Sequence, residues 1–200
     1  LLAPLGVATP AIEFGMPRWP VSRSRVKEWF RELRFDSSPV IMNPGAGWAS
    51  KLWPTARFAA VARELRHRQG VASLVVWGGG DERAAAERIV AEADGAAVMA
   101  PATTLQDLGE ACRLAQLFIS SDTGPLHLAA AVGTPCVGLF DPVPADRNGP
   151  YGPLHANVEP PAHLRPAWTD RKTDTQSMLG IEVAAVVAAA ERQLSRAAAA

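Results

Sequence analysis

The stretch Ser120-Ser121-Asp122-Thr123-Gly124-Pro125-Leu126-His127-Leu128-Ala129-Ala130-Ala131 concentrates the groups best able to do chemistry in this chain. An apolar, strand-like run ends there, a short polar turn follows, and a helix begins. The free N–H groups and positive dipole end of such a helix start suit a phosphate. Asp122 or Thr123 can cap the helix, and Pro125 fits its first turn, where a missing N–H costs nothing. His127 is the one titratable group on an otherwise apolar helix. Taken alone, the turn is equally well explained as a helix cap followed by a satisfied core histidine.

Three other loops carry related groups. Asn43-Pro44-Gly45-Ala46-Gly47 precedes Lys51. Its glycines let the backbone approach a ligand closely, and Lys51 can reach a phosphate as a point charge. The G-x-x-x-x-G-K-[ST] spacing of a P-loop is absent, and by itself an ordinary loop with an exposed lysine explains the segment better. Trp77-Gly78-Gly79-Gly80-Asp81-Glu82 is a second glycine turn before a helix. It lacks G-x-G-x-x-G; Asp81 or Glu82 could bond ribose hydroxyls, or could simply favour a positive helix end. The run 141–152 holds Arg147, suited to phosphate or sugar, and Tyr151, suited to packing on a base, within what is otherwise a rigid cluster of turns.

The elements between these loops decide whether they can meet. Apolar residues at helical spacing mark helices over 24–35, 55–69, 81–93, 104–115, 122–132 and 179–194. Short runs that are apolar on both faces mark strands over 39–42, 72–77, 96–99, 117–120 and 135–140. Strands alternating with helices of this length predict an α/β fold. It is a doubly wound, Rossmann-like parallel sheet with helices on both faces and right-handed crossovers. Residues 141–178 read as a long loop with at most one further strand. In such a sheet ligands bind beyond the carboxyl ends of the strands, and all four loops fall on that edge. Convergence makes a nucleotide diphosphate site the better reading of the set.

Composition excludes several classes. Twenty Lys+Arg balance twenty Asp+Glu, so the basic excess of a nucleic-acid binder is missing. A hydrophobic share of 48% argues against a disordered chain. Cys112 and Cys136 are too few for a disulfide scaffold and form no metal-ligand pattern. No apolar run reaches the roughly 18 residues of a membrane span. The chain opens Leu1-Leu2-Ala3-Pro4 without Met or a basic leader. It therefore reads as cut from something longer rather than as a signal peptide.

The motifs N-P-G-A-G…K-x-W-P, W-G-G-G-D-E, S-S-D-T-G-P-L-H-L-A-A-A-V-G-T-P and R-N-G-P-Y-G, in this order, resemble the lipopolysaccharide heptosyltransferase family over about residues 39–158. These are glycosyltransferases of family nine with the two-domain GT-B fold, and the match falls on the C-terminal, donor-binding half. The resemblance implies a division into an inter-domain linker and leading helix, 1–38, and a donor-binding domain, 39–200. It implies inverting transfer of heptose from an ADP-linked donor to a lipopolysaccharide core, with no resident cofactor and no metal. Lys51 would neutralise the diphosphate leaving group, with Asp122 and His127 as the other catalytic candidates contacting donor sugar or phosphate. Ala46, Gly47, Thr123 and Gly124 would line the phosphates, and Gly79, Asp81 and Arg147 complete the candidate donor-binding set. Some relatives hold the ribose with an acidic residue about where Gly80 stands; Asp81 is the neighbouring substitute. The family's acceptor-binding half and its general base precede this region. The isolated piece is therefore expected to bind nucleotide without transferring sugar, and a lipid-linked or oligosaccharide acceptor would meet the preceding domain. A cytoplasmic bacterial protein at the inner face of the inner membrane, peripherally associated through its parent, is the implied setting. Two rival readings are a sugar-nucleotide epimerase of the same architecture and a non-catalytic nucleotide-binding half-domain.

Overall fold

Short strands apolar on both faces need helices on both sheet faces, and the computed structural model has that arrangement. It describes residue 6 and residues 13–198; the expected linker residues 1–5 and 7–12 lie outside the described residues. In chain order the main elements are α1 (Pro20–Glu32), β1 (Val40–Asn43), α2 (Thr55–Gln69), β2 (Ser73–Val75), α3 (Gly80–Glu92), β3 (Ala97–Met99), α4 (Leu105–Leu114), β4 (Leu117–Ser121), α5 (Gly124–Ala131), β5 (Cys136–Leu139), α6 (Ala145–Asn148), β6 (His155–Val158) and α7 (Val183–Ala198). All six strands are parallel, in the order β3-β2-β1-β4-β5-β6. The chain builds outward from β1 to β3, then returns to lay β4 on the other side of β1. The reversal point, where neighbouring connections leave in opposite directions, lies between β1 and β4.

Two apolar layers flank the sheet. On one face Phe58, Leu65, Ile89, Val186 and Val187 from α2, α3 and α7 pack against Met42 and Ile119. On the other, Val26, Leu108, Cys112 and Leu126 from α1, α4 and α5 pack against Ile41 and Phe118. No helix among the described residues is long and apolar enough to cross a membrane.

The leading helix departs from its expected start at residue 24. It begins at Pro20, because proline is favoured in the first turn and the helix needs no side-chain cap there. It is docked rather than free. The Trp19 N–H donates to buried Glu110 of α4 at 3.1 Å, and Arg23 pairs with the same carboxylate at 3.1 Å. Arg25 pairs with buried Asp107 at 2.9 Å. Burial alone would raise the Glu110 carboxyl; the Trp19 N–H, Arg23 and Arg113 outweigh it and hold the group below its ordinary value. Gly109 makes room for this contact, since a Cβ there would meet the Trp19 ring at 2.5 Å.

Two boundaries in the second half also move. The residues around 179, expected to open the last helix, form a separate 3-10 turn, Ser177–Gly180, and α7 starts at Val183. The one further strand foreseen for 141–178 is β6, paired with β5 at the sheet edge.

Candidate functional site

The carboxyl ends of β1 and β4 meet at the reversal point, with Asn43 opposite Ser120 in the register. Their side chains are joined: Asn43 Nδ2 donates to Ser120 Oγ at 3.0 Å and to Thr123 Oγ1 at 3.3 Å. Ser120 Oγ and Thr123 Oγ1 are also 3.0 Å apart. Thr123 in turn caps α5, accepting from the Leu126 N–H at 3.4 Å. Two buried strand residues thus fix the residue that starts the helix, and with it the direction of the helix's free N–H groups.

Beside that helix start lies a charged cluster. Lys51 sits in a 3-10 turn, Ala49–Lys51, held down by the buried Ser50 hydroxyl, which donates to the Arg171 carbonyl at 2.8 Å. Lys51 Nζ is 2.6 Å from Asp122 Oδ2, with both side chains almost fully buried. His127 Nε2 is 3.3 Å from Asp122 Oδ1, and Asn148 Nδ2 donates to Asp122 Oδ2 at 3.0 Å. Burial alone would push the Asp122 carboxyl up. Hydrogen bonds from His127, Lys51 and Asn148, together with the Lys51 charge, win and hold it well below the usual carboxylate range. Asp122 is therefore an ionised clamp gripping three donors, from the Ala49–Lys51 turn, α5 and α6.

These groups face a cleft of about 320 Å³. Ala46, Gly47, Lys51, Asp122, Thr123 and Gly124, all expected at the site, line it together. The cleft continues into a hollow of about 250 Å³ floored by Val76, Trp77, Leu105 and Leu108, with Asn43, Glu82 and Pro125 shared between the two. A polar chamber holding Lys51 and the start of α5 thus opens into a more apolar one. Among the described residues no three His, Cys, Asp or Glu side chains converge as ligands of a metal would.

Other expected residues are placed elsewhere. His127 is bonded to Asp122 but its ring is largely exposed at the rim. Gly79 is the N-terminal cap position of α3. Asp81, in the first turn of α3, lines a separate hollow of about 550 Å³ beyond the Gly45-Ala46 loop. Its neighbour Glu82 is the carboxylate facing both chambers; Glu82 Oε2 accepts from the Gly78 N–H at 2.6 Å. Successive helical residues point about 100° apart, so the helix phase sends only one of the two into the cleft. A Cβ on Gly45 would collide with the Glu82 carboxylate, which explains the glycine there. Arg147 does not line the cleft: its guanidinium lies 4.8 Å from the Trp168 ring centre. Tyr151 packs edge-on against Phe14, ring centres 6.3 Å apart.

Sequence reasoning passed over Asn148 and Trp48. Asn148 lies within a quoted motif, yet nothing in its spacing marks it as a ligand of Asp122. Trp48 lines the cleft and lies under Lys51, with Nζ 4.6 Å from its ring centre. The Gly-Trp pair inside the glycine loop before Lys51 was the available signal.

The profile of glycosyltransferase family 9 (heptosyltransferase) matches residues 5–176. Lipopolysaccharide heptosyltransferase 3 of Escherichia coli is 31% identical over 143 residues, covering 70% of this chain and 42% of that protein. Among solved structures, the family 9 glycosyl transferase of Veillonella parvula superposes with a TM-score of 0.81 at 23% identity, covering 98% of this chain and 58% of the other. E. coli ADP-heptose lps heptosyltransferase II superposes with a TM-score of 0.76 at 20% identity, covering 96% and 56%. At these identities the two structures speak for the shared fold, and the chain spans about half the length of the relatives it matches. With a profile match over most of its length, the chain belongs to glycosyltransferase family 9, the heptosyltransferases.

Proposed function

We propose that this chain is the donor-binding half of a glycosyltransferase that uses an ADP-linked heptose for inverting transfer to a lipopolysaccharide core sugar. One observation carries the reading: Lys51, pinned to ionised Asp122 at 2.6 Å, lies beside the start of α5 in a cleft at the sheet's reversal point. In sugar transfer the diphosphate departs with growing negative charge. Lys51 and the first N–H groups of α5 are donors held in place before that charge develops. Asp122 fixes them and is itself too acidic in this setting to serve as a general base near neutral pH. Trp77, Leu105 and Leu108 suit the adenine, and Glu82 suits the ribose hydroxyls. A solved E. coli heptosyltransferase of this fold was determined with ADP, which supports the choice of nucleotide.

Residues 39–200 form the donor domain in this proposal, and the general base and the main acceptor site belong to the half that the relatives have in addition. The 200-residue chain alone is expected to bind nucleotide and transfer no sugar. A thermal-shift screen of ADP-, UDP-, GDP- and CDP-sugars tests the donor: the ADP-linked sugars should raise the melting temperature most, and Lys51→Ala should shrink the gain. A preference for another base overturns the ADP assignment. Release of a free epimer without acceptor favours an epimerase.

A further inference from the structure

Contacts outside the cleft proper close a circuit around its mouth. Lys172 Nζ lies 5.1 Å from the centre of the Trp48 ring that also carries Lys51. Its chain neighbour Arg171 lies 4.3 Å from the Trp168 ring, and Arg147 lies 4.8 Å from that same ring. Arg147 adjoins Asn148, which donates to Asp122, and Asp122 pairs with Lys51. Three segments distant in sequence are thus linked beside the cleft through Trp48 and Asn148, fastened by the Ser50–Arg171 bond. Arg147 and Lys172 are exposed, and Trp168 is half exposed.

Three cations share this rim, and none of them is ion-paired within the described residues, although Asp146, Asp170 and Asp174 lie on the same segments. Among the described residues, no Asp or Glu lies within 4.0 Å of the charged nitrogens of Arg147, Arg171 or Lys172. The nearby carboxylate of Asp170 accepts from Thr169, and that of Asp174 is engaged by Ser177. Aromatic faces hold the cations in place without cancelling their charge. A rim of this kind raises the local concentration of anions.

We propose that Arg147, Arg171 and Lys172 form an anion-binding rim for a phosphate or carboxylate carried by the sugar-accepting substrate. The inference rests on the donor reading above. None of the three lines the cleft, whose own cation is Lys51. A donor held by its diphosphate inside the cleft presents its sugar at the mouth, so charge on the rim meets the substrate that arrives second.

The test titrates the chain, saturated with ADP, with glucose 6-phosphate, glucuronate and glucose, following the indole N–H resonances of Trp48 and Trp168. The charged sugars should bind at least tenfold more tightly than glucose, and the difference should shrink with added salt. Arg171→Gln/Lys172→Gln should remove the preference while changing the ADP Kd less than twofold; Arg171→Lys/Lys172→Arg should keep it. The two charged probes separate a phosphate from a carboxylate ligand. Equal binding of charged and neutral sugars overturns the proposal. So does a glutamine pair that weakens ADP as much as it weakens the charged sugars, because the rim then serves the donor. Binding of charged sugars that depends on Arg171 and Lys172, in a chain that fails to bind ADP, supports the rim and overturns the donor reading instead.

Discussion

Two buried aspartates at the ends of neighbouring strands have opposite electrostatics. Asp122 has three donors and is held acidic. Asp141, just past β5, is pushed up by burial, with Asp174 and Glu159 adding to the effect and Ser177 and Arg165 opposing it; its Oδ2 has no hydrogen-bond partner. The pH dependences follow with opposite sign. Stability from Asp122 is fully present above the ordinary carboxylate value and is lost as pH falls through the lower folded-state value. Asp141 penalises folding once ionised, and that penalty disappears as pH falls through its raised value. Asp122→Asn should therefore cost about 2 kcal/mol at pH 7, the scale of hydrogen bonds to charged groups, and progressively less in strong acid. Asp141→Asn should stabilise by on the order of 1 kcal/mol at a pH above the raised value, where it removes a buried charge, and approach neutrality in acid. Urea unfolding across pH checks both. For ligand binding, Lys51→Ala should weaken ADP about tenfold to a hundredfold, since a charge-assisted bond of about 1.5–3 kcal/mol is lost. Calorimetric titration measures it, and an unchanged Kd would remove Lys51 from the site. The types Lys51, Asp122 and His127 were legible because charged residues beside glycine turns are conspicuous. Glu82 in place of Asp81, and Asn148 as a partner of Asp122, were not. The first depends on helix phase and the second on a contact 26 residues away.

At the scale of elements, the central strands were plain because each is a continuous apolar run with no solvent face. β6 was nearly silent: His155-Ala156-Asn157-Val158 is an edge strand, half exposed, without the apolar run. The start of α1 was displaced because its four proline-flanked residues carry no apolar periodicity. What holds α1 is tertiary, the Glu110 and Asp107 pairs to α4. Glu110→Ala should accordingly cost about 3 kcal/mol, the scale of stranding one side of a buried ion pair, here Arg113. Limited proteolysis should then cut ahead of α1 before the sheet is lost. Cleavage no faster than in the unaltered chain would mean that α1 is anchored by its apolar face alone.

For the molecule as a whole, ligand and fold are linked. At about a hundred times its Kd, ADP should add about 2.7 kcal/mol to unfolding stability, or roughly 5–10 °C in Tm for a chain of this size. Differential scanning calorimetry reads this directly, and no shift at saturation would exclude binding to the folded state. Ser50 bonds to Arg171 across 121 residues, Trp53 Nε1 donates to the Ile181 carbonyl across 128, and Arg57 reaches the carbonyls of Leu179 and Ile181. The turn that carries Lys51 is made before its anchors. A chain stopped after β5 has the strand ends, the capped helix and the Lys51–Asp122 pair, yet lacks the 171–181 carbonyls that anchor the turn beneath Lys51. Firm seating of that turn waits for residues 171–181, and long-range closures of this kind are the slow ones in folding.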